Sequence, residues 1–182
     1  MKGKFWLIAL AILALIVFGT YNGIISADER CNEAWANVES ALQRRFDLIP
    51  NLVNTVKGYA KHEESVLVEV TEMRSQWAKA QTPDEKMEAA AGFERALGRL
   101  MVITENYPEL KANENFIQLQ DELSGTENRI STERNRYNEA VKTFNVKIRG
   151  IPGVWFANFM GLEPRKPFEA AAGAEKAPTV EF

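Results

Sequence analysis

Residues 113 to 149 read NENFIQLQDELSGTENRISTERNRYNEAVKTFNVKIR, and this stretch decides the fold. Phe116, Leu123, Ile130, Tyr137 and Phe144 recur every seven residues, with Leu119, Ala140, Val141 and Ile148 filling in. That is the period of a helix with one face buried against other helices, as in a coiled coil. Asn113 offers a side-chain acceptor where the helix must begin, and no proline interrupts before Gly150-Ile-Pro-Gly153. Roughly 37 residues at 1.5 Å each extend about 55 Å. Gly125 inside the stretch costs about 1 kcal/mol relative to Ala, which a helix held by packing tolerates.

The segments upstream carry the same signal between Pro50, Pro83, Pro108 and Pro152. One stripe runs Cys31, Ala34, Trp35, Val38, Ala41, Leu42. A second runs Leu52, Val56, Tyr59, Glu63, Val66, Val70, Met73, Trp77, in steps of three and four. Thr82-Pro83-Asp84-Glu85 reads as a capping box with Pro at the first helical position, followed by a core face of Met87, Ala90, Leu97, Leu100 or Met101, and Thr104. Strand-like alternation is nearly absent. The prediction is an all-α chain: an N-terminal transmembrane helix followed by an antiparallel up-down four-helix bundle with long helices.

The membrane helix is read from the first residues. A basic start, Met1-Lys-Gly-Lys4, precedes an uncharged stretch from Phe5 to Ile25, 21 residues long, enough to cross a hydrocarbon core of about 30 Å. A cleaved signal peptide is the rival reading, but the apolar part exceeds a usual signal core. A lipoprotein is disfavoured because Asp28-Glu29-Arg30 precedes Cys31. Lys2 and Lys4 lie before the span and only Arg30 soon after it, so the N-terminus is expected in the cytoplasm, with the main domain on the periplasmic side of a bacterial inner membrane. Gly19 and Gly23 form a GxxxG that permits close helix contact.

Composition narrows the function classes. The chain has 182 residues, 46% hydrophobic and 26% charged, with one Cys and one His. There is no disulfide within the chain, and no site needing two imidazoles. The formal charge of -3 gives no reason to expect nucleic acid. His62-Glu63-Glu64 lacks the second ligand of a zinc-protease HExxH, because position 66 is Val66. Glu33, Glu63, Glu94 and Glu127 fall at similar depth in the expected bundle, but a carboxylate-bridged metal pair also needs a second His. A Cys31/His62 dyad is opposed by the core position of Cys31, and no glycine-rich phosphate loop occurs. No catalytic residue, metal or cofactor is expected.

Three motifs in order carry a family resemblance: Arg44-Arg-Phe-Asp-Leu-Ile-Pro-Asn-Leu-Val-Asn-Thr-Val-Lys-Gly-Tyr-Ala-Lys-His-Glu63, then Glu105-Asn-Tyr-Pro-Glu-Leu-Lys-Ala-Asn113, then Thr126-Glu-Asn-Arg-Ile130 with Tyr137-Asn-Glu-Ala-Val141. From Tyr21 to Phe168 the chain resembles the LemA family of bacterial membrane proteins, and the family is expected to give little guidance after Glu169. The resemblance implies an N-terminal membrane helix, an antiparallel helical bundle and no established enzymatic activity. Association with HtpX-like membrane metalloproteases and TPM-domain proteins implies a part in envelope quality control or assembly.

The expected organisation is a stub and anchor over 1–27, a bundle over 28–162 and a flexible tail over 163–182. The expected function is a membrane-anchored, non-enzymatic scaffold, with a ligand-binding bundle serving an envelope enzyme as the alternative. Turns near Asp47 to Pro50 and Tyr107 to Ala112 should meet at the far end, gathering Arg44, Arg45, Asp47, Asn51, Glu105, Asn106, Tyr107, Lys111 and Asn113 into a partner-binding surface. Helix capping alone would also explain those residues. Trp155, Phe156, Phe159 and Met160 should return to the membrane interface or else form a lid over the bundle end. The soluble part of the first helix, Asp28 to Phe46, is far shorter than the fourth helix, and this mismatch predicts a homo-oligomer. Glu63 and Glu133 interrupt apolar seams and need partners, with Arg44, Arg45, Arg129 and Arg134 as candidates.

Overall fold

The structure, a computed structural model, describes residues 2–60 and 62–168, and all of its regular elements are helices. They are α1 (Lys2–Asp47), α2 (Ile49–Tyr59), α3 (Glu64–Lys79), α4 (Pro83–Thr104), α5 (Pro108–Lys111), α6 (Glu114–Arg149) and α7 (Gly153–Met160). The chain divides into two compact units: residues up to Asn37 with Arg134–Pro167, and Val38–Glu133 with Phe168. Both α1 and α6 contribute to each unit.

The second unit is the four-helix bundle. Its first helix is longer than expected, because Pro50 does not stop it. Pro50 lies in the first turn of α2, where its missing N–H has no intrahelical acceptor to lose. Leu48 N–H donates to Arg45 O and Leu52 N–H to Leu48 O, so the helical path runs on from α1 into α2 with a break only at Leu48. The first reversal comes instead at Ala60–Glu63.

The expected second helix, running unbroken from Leu52 to Trp77, is thereby corrected. Continuing it would hold the Glu63 carboxylate in an apolar seam. Breaking it releases Glu63 to a hydroxyl partner and hands the inner positions of α3 to Leu67, Val70 and Trp77, leaving Val66 half-buried. The capping box of α4 forms as expected: Glu85 N–H donates to Thr82 Oγ1 and Thr82 N–H to Glu85 Oε2. Phe93, absent from the expected core face, fills the centre of α4. The α6 stripe holds throughout, with Phe116, Leu123, Ile130, Tyr137 and Phe144 all buried.

The long α6 has neighbours from its first turns. The first turns of α6 lie beside α2 and α4, where Asn113 reaches Tyr59 and Gln120 reaches Met101.

The first unit is an antiparallel pair of α1 and α6 with α7 docked on it. Trp35 meets Tyr137 edge to face at 5.4 Å, and Lys147 Nζ donates to Gly23 O at 2.9 Å. Across residue 27 α1 is unbroken, and Ile24, Ala27 and Cys31 are all buried in packing. The first residues of the tail expected from Glu163 make several bonds. Arg165 Nη2 binds Asp28 Oδ1 at 2.7 Å and Asn32 Oδ1 at 2.8 Å, and its backbone N–H and carbonyl bond the Asn145 amide. The Tyr137 hydroxyl donates to Lys166 O. The remainder of that expectation, 169–182, lies outside the described residues.

Candidate functional site

The nine residues expected to form one surface fall into two groups within the bundle unit. Arg44, Arg45, Asp47 and Asn51 lie around the junction of α1 and α2. Glu105, Asn106, Tyr107, Lys111 and Asn113 lie around α5, facing the opposite end of α2. Eight residues separate Asn51 from Tyr59, about 12 Å of helix. The reversal at Ala60–Glu63, not the Pro50 turn, is what meets the Tyr107–Asn113 segment.

That meeting builds a polar end. Asn113 Nδ2 donates to the Tyr59 hydroxyl at 3.0 Å, while Asn113 Oδ1 accepts Phe116 N–H at 3.1 Å and so starts α6. The Tyr107 hydroxyl donates to Glu63 Oε1 at 3.2 Å. Burial, followed by that bond and the carboxylate's charge, raises the Tyr107 phenol above its usual range. Lys111 pairs with Glu105 at 2.5 Å, and Asn106 and His62 are exposed. Sequence reasoning placed Tyr59 and Glu63 on a core stripe and missed them as members of this surface. The signal was available: a tyrosine and a carboxylate on an apolar seam each require a polar partner.

The other group is mostly structural. Arg45 is buried, paired with Glu127 and 3.9 Å from Glu94, and its guanidinium lies 5.7 Å from the Phe93 ring centre. Trp77 stacks on Phe46 with ring centres 4.6 Å apart, and Phe93 meets the same ring tilted by 58° at 4.6 Å. Arg74 Nε donates to Phe46 O, and Asp47 accepts from Gln43 at 2.7 Å. Arg44 and Asn51 are exposed. Two of the four carboxylates weighed as metal ligands, Glu94 and Glu127, thus converge on an arginine. Glu63 faces Tyr107, and Glu33 is exposed. Cys31 is buried, which raises its thiol above the ordinary value, whereas His62 is exposed.

The aromatic cluster of α7 is two-sided. Trp155 and Phe159 are 64% and 90% exposed, while Phe156 and Met160 are half-buried against the first unit. The start of α7 is fixed by Gly153, where an added Cβ would lie 1.9 Å from Lys147 O and 3.6 Å from Ile24 Cδ1. The helix therefore begins against the last turn of the apolar stretch of α1, whose composition and length suffice to cross a membrane.

Over 194 aligned residues the chain is 25% identical to magnetosome protein MamQ 2 of Paramagnetospirillum magneticum, covering 90% of this chain and 71% of that protein. It is 26% identical over 188 residues to magnetosome protein MamQ of Magnetospirillum gryphiswaldense, covering 86% and 69%. Protein LemA of Metamycoplasma hominis is 24% identical over 145 residues, covering 79% of this chain and 66% of that one. The LemA family model matches residues 34–182, running past the point where the resemblance was expected to fade. With the model covering most of the chain, from within α1 through the whole of α6 and α7, this protein belongs to the LemA family.

Proposed function

We propose that this chain is a single-pass, membrane-anchored, non-enzymatic scaffold of the bacterial envelope. Its α1 would cross the inner membrane with the N-terminus in the cytoplasm, and the bundle unit would present the Tyr59, Glu63, Tyr107, Lys111, Asn113 end to protein partners. One observation carries the reading. The apolar stretch of α1 continues without a break into the packed part of the first unit, so the anchor is an integral part of the fold rather than a tether.

The exposed Trp155 and Phe159 support a second foothold at the headgroup boundary, where aromatic rings are favoured. The names of the magnetosome relatives support work at a membrane, and the family association points to an HtpX-like protease or a TPM-domain protein as partner.

The test is crosslinking in the native membrane from a photoreactive residue at Lys111, followed by mass spectrometry. Recovery of a membrane protease or TPM-domain protein supports the scaffold. A stoichiometric small molecule would favour the ligand-binding alternative, for which the groove of about 580 Å³ between α2 and α3, lined by Val53, Leu67 and Val68, is the available space.

A further inference from the structure

The chain carries a net charge of -3, yet residues 134 to 149 of α6 hold Arg134, Arg136, Lys142, Lys147 and Arg149 against Glu139 alone. The antiparallel pairing brings this basic half of α6 to the end of the apolar stretch of α1, because Lys147 Nζ bonds the carbonyl of Gly23. Between the two helices lies a groove of about 680 Å³, lined by Ala27, Arg30, Arg136, Lys142, Thr143 and Lys147, with Glu139 as its one acidic wall. Arg30 and Lys142 are exposed and take part in no hydrogen bond or ion pair among the described residues.

Depth decides what such a groove would meet. Ile25 closes the uncharged stretch. Along a helix rising 1.5 Å per residue, Ala27 lies about 3 Å and Arg30 about 7.5 Å beyond it. The headgroup layer on each side of a bilayer is about 5 to 8 Å thick. Lipid phosphates therefore occupy the level of the groove, and long basic side chains reach that level with their stems on apolar surface.

We propose that this groove holds the phosphate headgroup of an anionic phospholipid, gripped by Arg30, Lys142 and Lys147. Arg30 offers a planar fork to two phosphate oxygens, and the lysines add point charges. Cationic groups at such a surface favour anionic over zwitterionic lipid, and neutralising two of them weakens that preference steeply. The proposal rests on the membrane-anchored reading, and the experiment separates the two.

The full chain is reconstituted in nanodiscs of phosphatidylcholine with a minority of phosphatidylglycerol, then extracted in mild detergent, and the retained lipid is measured by mass spectrometry. The expected result is enrichment of phosphatidylglycerol by about tenfold over its bulk share, reduced to near the bulk share in Arg30→Gln/Lys142→Gln and unchanged in Lys57→Gln/Lys79→Gln. Rising salt should erode the enrichment, and Arg30→Lys/Lys142→Arg should keep it, which covers the case in which the neutralised variant folds poorly. Retention of both lipids in bulk proportion overturns the proposal, as does enrichment that survives in a folded Arg30→Gln/Lys142→Gln. Displacement of the lipid by inorganic phosphate at low concentration would mark a free-anion site and overturn the lipid assignment. Failure of the chain to enter nanodiscs at all would strike the anchor reading instead.

Discussion

Asn113 binds in two directions at once: its amide nitrogen donates to the Tyr59 hydroxyl at 3.0 Å, and its amide oxygen caps α6 through Phe116 N–H at 3.1 Å. One side chain thus closes the end of α2 onto the start of the longest bundle helix. Asn113→Ala is expected to lower stability by about 1 to 2 kcal/mol, the cost of a cap plus the cross-helix bond. Asn113→Asp keeps the cap and can accept from the Tyr59 hydroxyl where Asn113 donates to it, so it should cost less than half as much. Thermal melting of the full chain in detergent ranks the two, and equal losses would show that the carboxylate recovers neither the cap nor the Tyr59 bond.

Arg45 is expected to be the most sensitive charged position. Arg45→Ala removes a partner of Glu94 and Glu127 and also the guanidinium that lies over the Phe93 ring. Glu127 is about half exposed and regains water, so the loss should be about 2 to 3 kcal/mol, short of a fully buried pair. Arg45→Met retains the packing and should recover roughly half of that. Denaturant titration of both variants tests the split between charge and packing.

At Gly153 the backbone leaves no room for a side chain. An added Cβ would lie 1.9 Å from the Lys147 carbonyl oxygen, which belongs to the last turn of α6 and cannot swing aside. Gly153→Ala should therefore undock α7 and hasten proteolytic cleavage after Arg149, whereas Gly161→Asn should be mild, because Asn tolerates the left-handed conformation there. Cleavage rates no faster than those of the unmutated chain would contradict the tight approach.

The Tyr107 phenol gives a pH signature. Burial and the Glu63 carboxylate favour its neutral form in the folded protein, raising its ionisation above the ordinary value of 10.0. Its contribution to stability is therefore complete below that value and is lost as pH rises through the raised folded value. Melting temperature measured into the alkaline range should fall less steeply in Tyr107→Phe than in the unmutated chain. Parallel alkaline limbs would remove Tyr107 from this role.

Trp155→Ser/Phe159→Ser should leave the melting temperature of the full chain unchanged, since both rings are exposed. In vesicles of brominated lipid the double variant should lose part of the quenching of tryptophan emission. A drop in melting temperature with quenching intact would favour the lid reading.

Helix, capping box, heptad stripe and the long apolar N-terminal stretch were all legible in the sequence, because each depends on residues within a few turns of one another. The seven-residue recurrence from Phe116 to Phe144 fixes one face of α6 without reference to any other element, and Thr82 with Glu85 specifies a helix start through bonds three residues apart. Where the bundle reverses was a tertiary decision. Pro50 is the stronger local breaker, but it fell in a first turn that needs no N–H. The turn came at Ala60–Glu63, where Glu63 could leave the seam for the hydroxyl of Tyr107, 44 positions away. The same holds for Arg45 with Glu127 and for Arg165 with Asp28: the partner of a buried charge is chosen by packing across the chain, and spacing along it carries no record of that choice.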